Sequence, residues 1–83
     1  MLAMAGSIES CDCLITLHKS NKIEINLNSD VIIQYGDLIN NLVINILKEY
    51  NIKKLRVDID DKGALDYTIK ARLETALKRG ELI

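Results

Sequence analysis

Along residues 13–18, Cys-Leu-Ile-Thr-Leu-His, the chain is β-prone, and Cys13, Ile15 and Leu17 fall on one face of an extended segment. Residues 23–28 alternate more cleanly, with Ile23, Ile25 and Leu27 against Glu24, Asn26 and Asn28. The polar stretch Lys19-Ser20-Asn21-Lys22 lies between them and reads as a turn, so the two runs predict a β-hairpin. A helix follows. Asn28 or Ser29 is suited to cap it, and Asp30 suits its first turn. Val31, Tyr35, Leu38, Ile39, Leu42, Val43, Ile46 and Tyr50 recur at three- and four-residue spacing and form its apolar stripe. Gly36 inside that helix points to close packing.

Alternation returns at residues 54–60, where Leu55, Val57 and Ile59 oppose Arg56, Asp58 and Asp60. Asp60-Asp61-Lys62-Gly63 reads as the turn that ends this strand. A second helix is expected from about Asp66, with Ile69, Leu73, Ala76 and Leu77 buried and Gly80 placed to stop it. Residues 1–9 show no clear period and read as a flexible N-terminal segment, with room for a short strand near its end. The predicted order is therefore β-β-α-β-α. The expected fold is α+β: a two-layer sandwich with a small three-stranded sheet and both helices on one face. Its 83 residues fit one domain spanning 1–83.

Composition narrows the functional classes. Apolar residues make up 48 % of the chain, and Pro, Trp and Phe are absent, so the core must be aliphatic. A net charge of −1 provides no general electrostatic attraction for nucleic acid. No apolar run nears the roughly 20 residues that cross a bilayer. Met1–Gly6 lacks a basic segment leading into a long apolar stretch, so no signal peptide is expected. Together with Cys11 and Cys13, a pair too close in a strand for an unstrained disulfide, this points to reduced thiols and a cytoplasmic location.

The candidate chemistry is sparse. Cys11, Cys13 and His18 fall short of a four-ligand zinc set. His18 has no evident nucleophile or orienting partner and reads as a solvated surface residue. Asp58, Asp60 and Asp61 do not match the calcium-loop spacing and read as a polar face plus a turn. Ile33 and Ile44 lie near each other in angle on the polar side of the first helix, with Leu47 at the border, and mark a candidate docking face. A small chain without a nucleophile–base pair is better suited to binding or carrying than to catalysis.

Three segments carry a resemblance. They are Ala5-Gly6-Ser7-Ile8-Glu9-Ser10-Cys11-Asp12, then Ser29-Asp30-Val31-Ile32-Ile33-Gln34-Tyr35-Gly36, then Asp61-Lys62-Gly63-Ala64-Leu65-Asp66 leading into Ala71-Arg72-Leu73-Glu74. In register, they resemble the A-G-T-L-E-S-x-D, S-S-V-x-x-Q-F-G and D-K-G-A-L-D-C patterns of the acyl carrier (gamma) chain of citrate lyase. Cys11 departs from the family's usual Ser, Gly or Ala and Tyr67 from its frequent Cys, and the sequence ends soon after Gly80 without the longer tails of relatives.

The resemblance implies a non-catalytic carrier subunit of a lyase complex. It implies that Ser10 bears, through a phosphodiester, 2'-(5''-phosphoribosyl)-3'-dephospho-CoA, whose thiol holds acetyl and citryl groups. The implied partners are the alpha (acyl transferase) and beta (citryl lyase) chains and a prosthetic-group transferase. Ser7 is the nearest rival to Ser10; Ser29 is expected as a helix cap and Ser20 as a turn residue. Glu9 and Asp12 either steer the modifying enzyme or solvate the loop. Two alternatives stand beside this reading: a carrier subunit of a related enzyme such as malonate decarboxylase, and an unmodified structural adaptor that docks through its first helix.

Overall fold

Strand β4 (Leu55–Asp61) sits inside the sheet, and that position organises the rest of the computed structural model. The structure describes residues 1–29 and 32–83, and in the first helix the side chains from Gly36 onward. The readings on Asp30, Val31, Ile33 and Tyr35 lie outside the described residues. The chain runs β1 (Ala3–Gly6), β2 (Cys13–His18), β3 (Ile23–Ser29), α1 (Ile32–Glu49), β4 and α2 (Asp66–Arg79). Strand order in the sheet is β1-β2-β4-β3.

Two expectations change. The sheet has four strands, because Ala3–Gly6 pairs antiparallel with β2 from Ala3 opposite Leu17 to Gly6 opposite Leu14. The signal at Ala3-Met4-Ala5-Gly6 was weak because small residues face the core there: Ala3 and Ala5 are buried, but alanine has little β propensity. The second change is that β2 and β3 form no hairpin. β4 lies between them, antiparallel to β2 and parallel to β3. The four residues 19–22 must therefore cross two strand spacings, about 10 Å, which is within their extended reach of roughly 13 Å. The Lys22 carbonyl accepts the Leu55 N–H at 3.0 Å, so the linker closes over the start of β4. The parallel β3–β4 pair is joined through α1, as such pairs require a long crossover.

Both helices cover the same side of the sheet. α2 packs on β1 and β2, α1 packs on β3, and the helices touch each other. The core between the layers is aliphatic: Ile15, Leu17, Val57, Leu55, Ile69, Leu73 and Leu77 are among its fully buried members, with Cys13. The inward residues of the edge strand β3, Ile23, Ile25 and Leu27, are only partly buried. In α1 the core-facing line is Ile39, Val43, Ile46 and Leu47. Leu47 thus belongs to the core rather than to an outer docking face, Ile44 is half-buried, and Leu38 stands 64 % exposed. Gly36 is buried, as its place in the helix suggested.

The two helices end alike. After α2 the Glu81 N–H donates to the Lys78 carbonyl and the Leu82 N–H to the Leu77 carbonyl. After α1 the Asn51 N–H donates to the Lys48 carbonyl and the Ile52 N–H to the Leu47 carbonyl. Each is a Schellman arrangement, with Leu82 and Ile52 folding back onto the core. Its left-handed residue is Asn51 (φ 58°) in one case and Glu81 (φ 58°) in the other. Gly80 caps α2 where it was expected to stop it, but with φ −83°, so the left-handed position falls to Glu81. Glu81→Gly is therefore expected to stabilise the chain by about 0.5–1 kcal/mol, since only the glycine accepts that φ without steric cost. Urea denaturation checks this, and an unchanged or lower midpoint would refute it.

Candidate functional site

The loop joining β1 to β2 holds Ser10, and its backbone is anchored from three directions. Gly6 turns the chain out of β1 at φ 94°. The Ser7 N–H donates to the Cys13 carbonyl at 3.1 Å. The Cys11 N–H donates to the Lys62 carbonyl at 2.8 Å, and the Lys62 N–H returns to the Asp12 carbonyl at 2.9 Å. Between these anchors the Asp12 N–H donates to the Glu9 carbonyl at 3.2 Å, closing a four-residue turn. Ser10 and Cys11 are its central residues. Cys11 has φ 65°, a conformation easiest for Gly and tolerated best by small or polar residues. Ser10 is exposed at the turn's apex, and its hydroxyl has no hydrogen-bond partner among the described residues.

Asp12 holds this turn from beneath. Its carboxylate receives Arg72 Nε at Oδ1 and Arg72 Nη2 at Oδ2, both at 3.0 Å, a bidentate pair reaching across from α2. It also accepts the Ser7 hydroxyl at 2.8 Å and the Cys13 N–H at 2.8 Å. The Arg72, Ser7 and Cys13 hydrogen bonds hold its pKa at about 2, below the usual 3.8. This side chain is only 16 % exposed. Asp12 is thus a brace of the loop, whereas Glu9, its neighbour across Ser10, is exposed. A carboxylate whose pKa is depressed on folding stabilises the fold above its unfolded value and loses that contribution as pH falls through the folded value. Stability should therefore decline between about pH 4 and pH 2, and Asp12→Asn should flatten that decline while weakening the protein at neutral pH. Urea midpoints of both proteins across that range are the measurement; parallel pH curves would refute the assignment.

The rival serines are occupied. Ser7 donates to Asp12 and accepts the Glu9 N–H at 3.3 Å. Ser20 accepts the Lys22 N–H at 3.4 Å, consistent with its reading as a turn residue. Ser29 donates to Asp61 Oδ2 at 2.8 Å; any capping of α1 by it lies outside the described residues. Asp61 was expected as part of an exposed turn, but β4 extends through it and its side chain is 1 % exposed. Its other oxygen accepts the Ala64 N–H at 2.9 Å, so one buried carboxylate joins the end of β3 to the approach to α2. The alternation 55, 57, 59, 61 already carried that inward position; the turn-like composition of residues 60–63 hid it.

The remaining polar candidates form a lattice on the sheet's open face. Asp58 takes a bidentate pair from Arg56, the Asn26 amide at 2.9 Å and His18 Nε2 at 3.2 Å. Burial raises the Asp58 pKa, but the Arg56 and Asn26 hydrogen bonds outweigh it and leave the group below its usual value. His18 is therefore half-buried and paired, not simply solvated. No cluster of three metal-binding side chains occurs among the described residues. Cys13 is buried, with its thiol pushed up to about 11 chiefly by burial, and Cys11 is exposed and free. Among the described residues no helix is long and apolar enough to cross a membrane.

Comparison with known proteins agrees with the motif pattern. Residues 2–80 match the family model described as malonate decarboxylase delta subunit, an acyl carrier family. A citrate lyase acyl carrier protein of Treponema denticola is 46 % identical over 77 residues, covering 93 % of this chain and 88 % of the relative. One from Halothermothrix orenii is 44 % identical over 78 residues, covering 93 % and 83 %. No solved structure matches. The chain belongs to the citrate lyase acyl carrier protein family.

Proposed function

We propose that this chain is the acyl carrier subunit of a citrate lyase, with Ser10 as the covalent attachment point of a CoA-derived arm. One observation carries the assignment to this residue. Of the two serines in the β1–β2 loop, Ser10 presents an exposed, unbonded hydroxyl at the apex of a braced turn, while Ser7 is committed to Asp12. Forming a phosphodiester on an alcohol takes an activated phosphoryl donor, such as a phosphoanhydride. The Ser10 O–P bond forms as the anhydride P–O bond breaks, the remainder of the anhydride leaves as phosphate or pyrophosphate, and the hydroxyl proton passes to a base of the transferase. The turn supports this by keeping neighbouring side chains off the oxygen. Arg72, Asp12 and Lys62 hold the backbone, so the transferase meets one loop shape rather than an ensemble.

The residues fit the group in a second respect. A carrier needs no catalytic constellation of its own; the bound arm supplies a thiol on which an acyl group becomes an electrophilic thioester. Tethering then raises the acyl group's effective concentration at partner sites to the millimolar scale when reach matches span. In this reading the arm is 2'-(5''-phosphoribosyl)-3'-dephospho-CoA. The partners are the alpha and beta chains of the lyase and the transferase that loads the arm, all in the cytoplasm, and residues 1–83 act as one domain.

Peptide mass mapping of protein from its native host tests the assignment. The Ser10 peptide should carry a phosphate-linked nucleotide–thiol adduct, with acetyl or citryl on the thiol. An unmodified Ser10 peptide in protein drawn from an active complex would refute it and favour an unmodified adaptor. The family model's description favours a second reading, a malonate decarboxylase carrier. In that case the same peptide would carry malonyl.

A further inference from the structure

We infer that the groove beside Ser10, between α1 and the start of α2, seats the adenine ring of the attached arm; this rests on the reading of Ser10 above. The groove encloses about 380 Å³, within the range of small-ligand sites. Leu38, Ile39, Ala64, Leu65 and Ile69 make its walls. Leu38 and Leu65 stand 64 % and 58 % exposed, apolar side chains open to solvent at the groove. Asp61 also lines the groove.

Three observations connect this groove to the arm. The first is proximity. Lys62 bonds Cys11 and Asp12 on either side, and its chain neighbours Asp61 and Gly63 both line the groove. A side chain at Gly63 would meet nothing within 4 Å, so the groove is unobstructed at that lining residue. The second is chemistry. A flat, neutral heterocycle suits two leucines, as bases lifted from a stack are held between apolar side chains. The third is exclusion. Asp61 and Asp66 both line the groove and repel phosphates, so the anionic segments of the arm stay in solvent while the uncharged ring enters.

The seat need only be weak. At millimolar effective concentration, a millimolar intrinsic affinity fills the groove about half the time. The arm is thereby held near its own subunit yet released to a partner without a large barrier.

Methyl NMR of the apo and loaded forms tests this, with the adduct on Ser10 first established by mass. Seating of the ring should move the methyl resonances of Leu38, Leu65, Ile39 and Ile69 upfield through its ring current. Leu38→Asp, at an exposed position, should remove the shifts at the other three residues while the adduct mass persists. Loaded protein with unshifted groove methyls, or with shifts lacking ring-current character, overturns the inference and leaves the Ser10 reading standing. Absence of the adduct overturns both.

Discussion

Ser10→Ala is expected to leave the fold intact and remove attachment entirely. The side chain is exposed and unbonded, and substitutions at such positions usually change stability by no more than about 0.5 kcal/mol. Incubated with the transferase and its activated donor, the variant should show no mass increase. A complex rebuilt with it should fall to background turnover, because no thiol remains to hold the acyl group. Ser7→Ala makes the contrasting case. It removes a hydrogen bond to Asp12, so it should lower the unfolding midpoint yet still accept the arm at Ser10. Loading of Ser10→Ala together with failure of Ser7→Ala would reverse the assignment. Normal turnover of the complex with Ser10→Ala would eliminate the carrier role of this loop.

The largest effect on stability is expected from Gly6→Ala. Gly6 lies at φ 94°, and a Cβ there would stand 1.8 Å from the Cys13 carbonyl oxygen, far inside any tolerable contact. The atom it meets is backbone, held by the Ser7 N–H, so no side-chain rotation relieves it. The strands must separate or the loop must re-form. A left-handed conformation alone costs a non-glycine residue about 1–2 kcal/mol, and the overlap should bring the total to roughly 3 kcal/mol or more. Typical stability per residue gives a chain of this length about 4–12 kcal/mol in all, so the variant loses a large share of it. Gly63→Ala isolates the conformational part, for Gly63 has a similar φ of 89° but open space around it. It should cost about 1 kcal/mol. Equal losses for the two variants in urea denaturation would show that the approach to Cys13 is not what requires Gly6. Because Gly6 also starts the loop that carries Ser10, loading of the arm should slow in Gly6→Ala and not in Gly63→Ala.

The motif residues divide by physical role once the structure is in view. Of the Glu9-Ser10-Cys11-Asp12 turn, Asp12 braces, Cys11 takes the left-handed position and Ser10 is presented. In Asp61-Lys62-Gly63-Ala64, the buried Asp61 orders the approach to α2, and the Lys62 backbone anchors the Ser10 loop. Arg72 links the two motifs through Asp12, 60 residues earlier in the chain. No local pattern marks that pairing, because an arginine on a helix and an aspartate in a loop have nothing periodic in common. The Tyr50 hydroxyl bond to Glu74, which joins the end of α1 to α2 and raises the Tyr50 pKa, is equally non-local.

Elements whose character lies in their own side chains were readable from the sequence. The alternation of β2, β3 and β4, the buried line Ile69, Leu73, Ala76 and Leu77 of α2, and most of the core face of α1 follow from periods of two and 3.6 acting on apolar residues. The motif around Ser10 was likewise present in the chain as written. The place of β4 between β2 and β3, the recruitment of Ala3–Gly6 as a fourth strand and the exposure of Leu38 were settled only by tertiary structure. The reason is that alternation specifies which face of a strand is buried, but not which neighbour takes its backbone edges. Edge pairing depends on how a four-residue link, a helical crossover and two packed helices can be satisfied together, and that condition is spread over the whole chain.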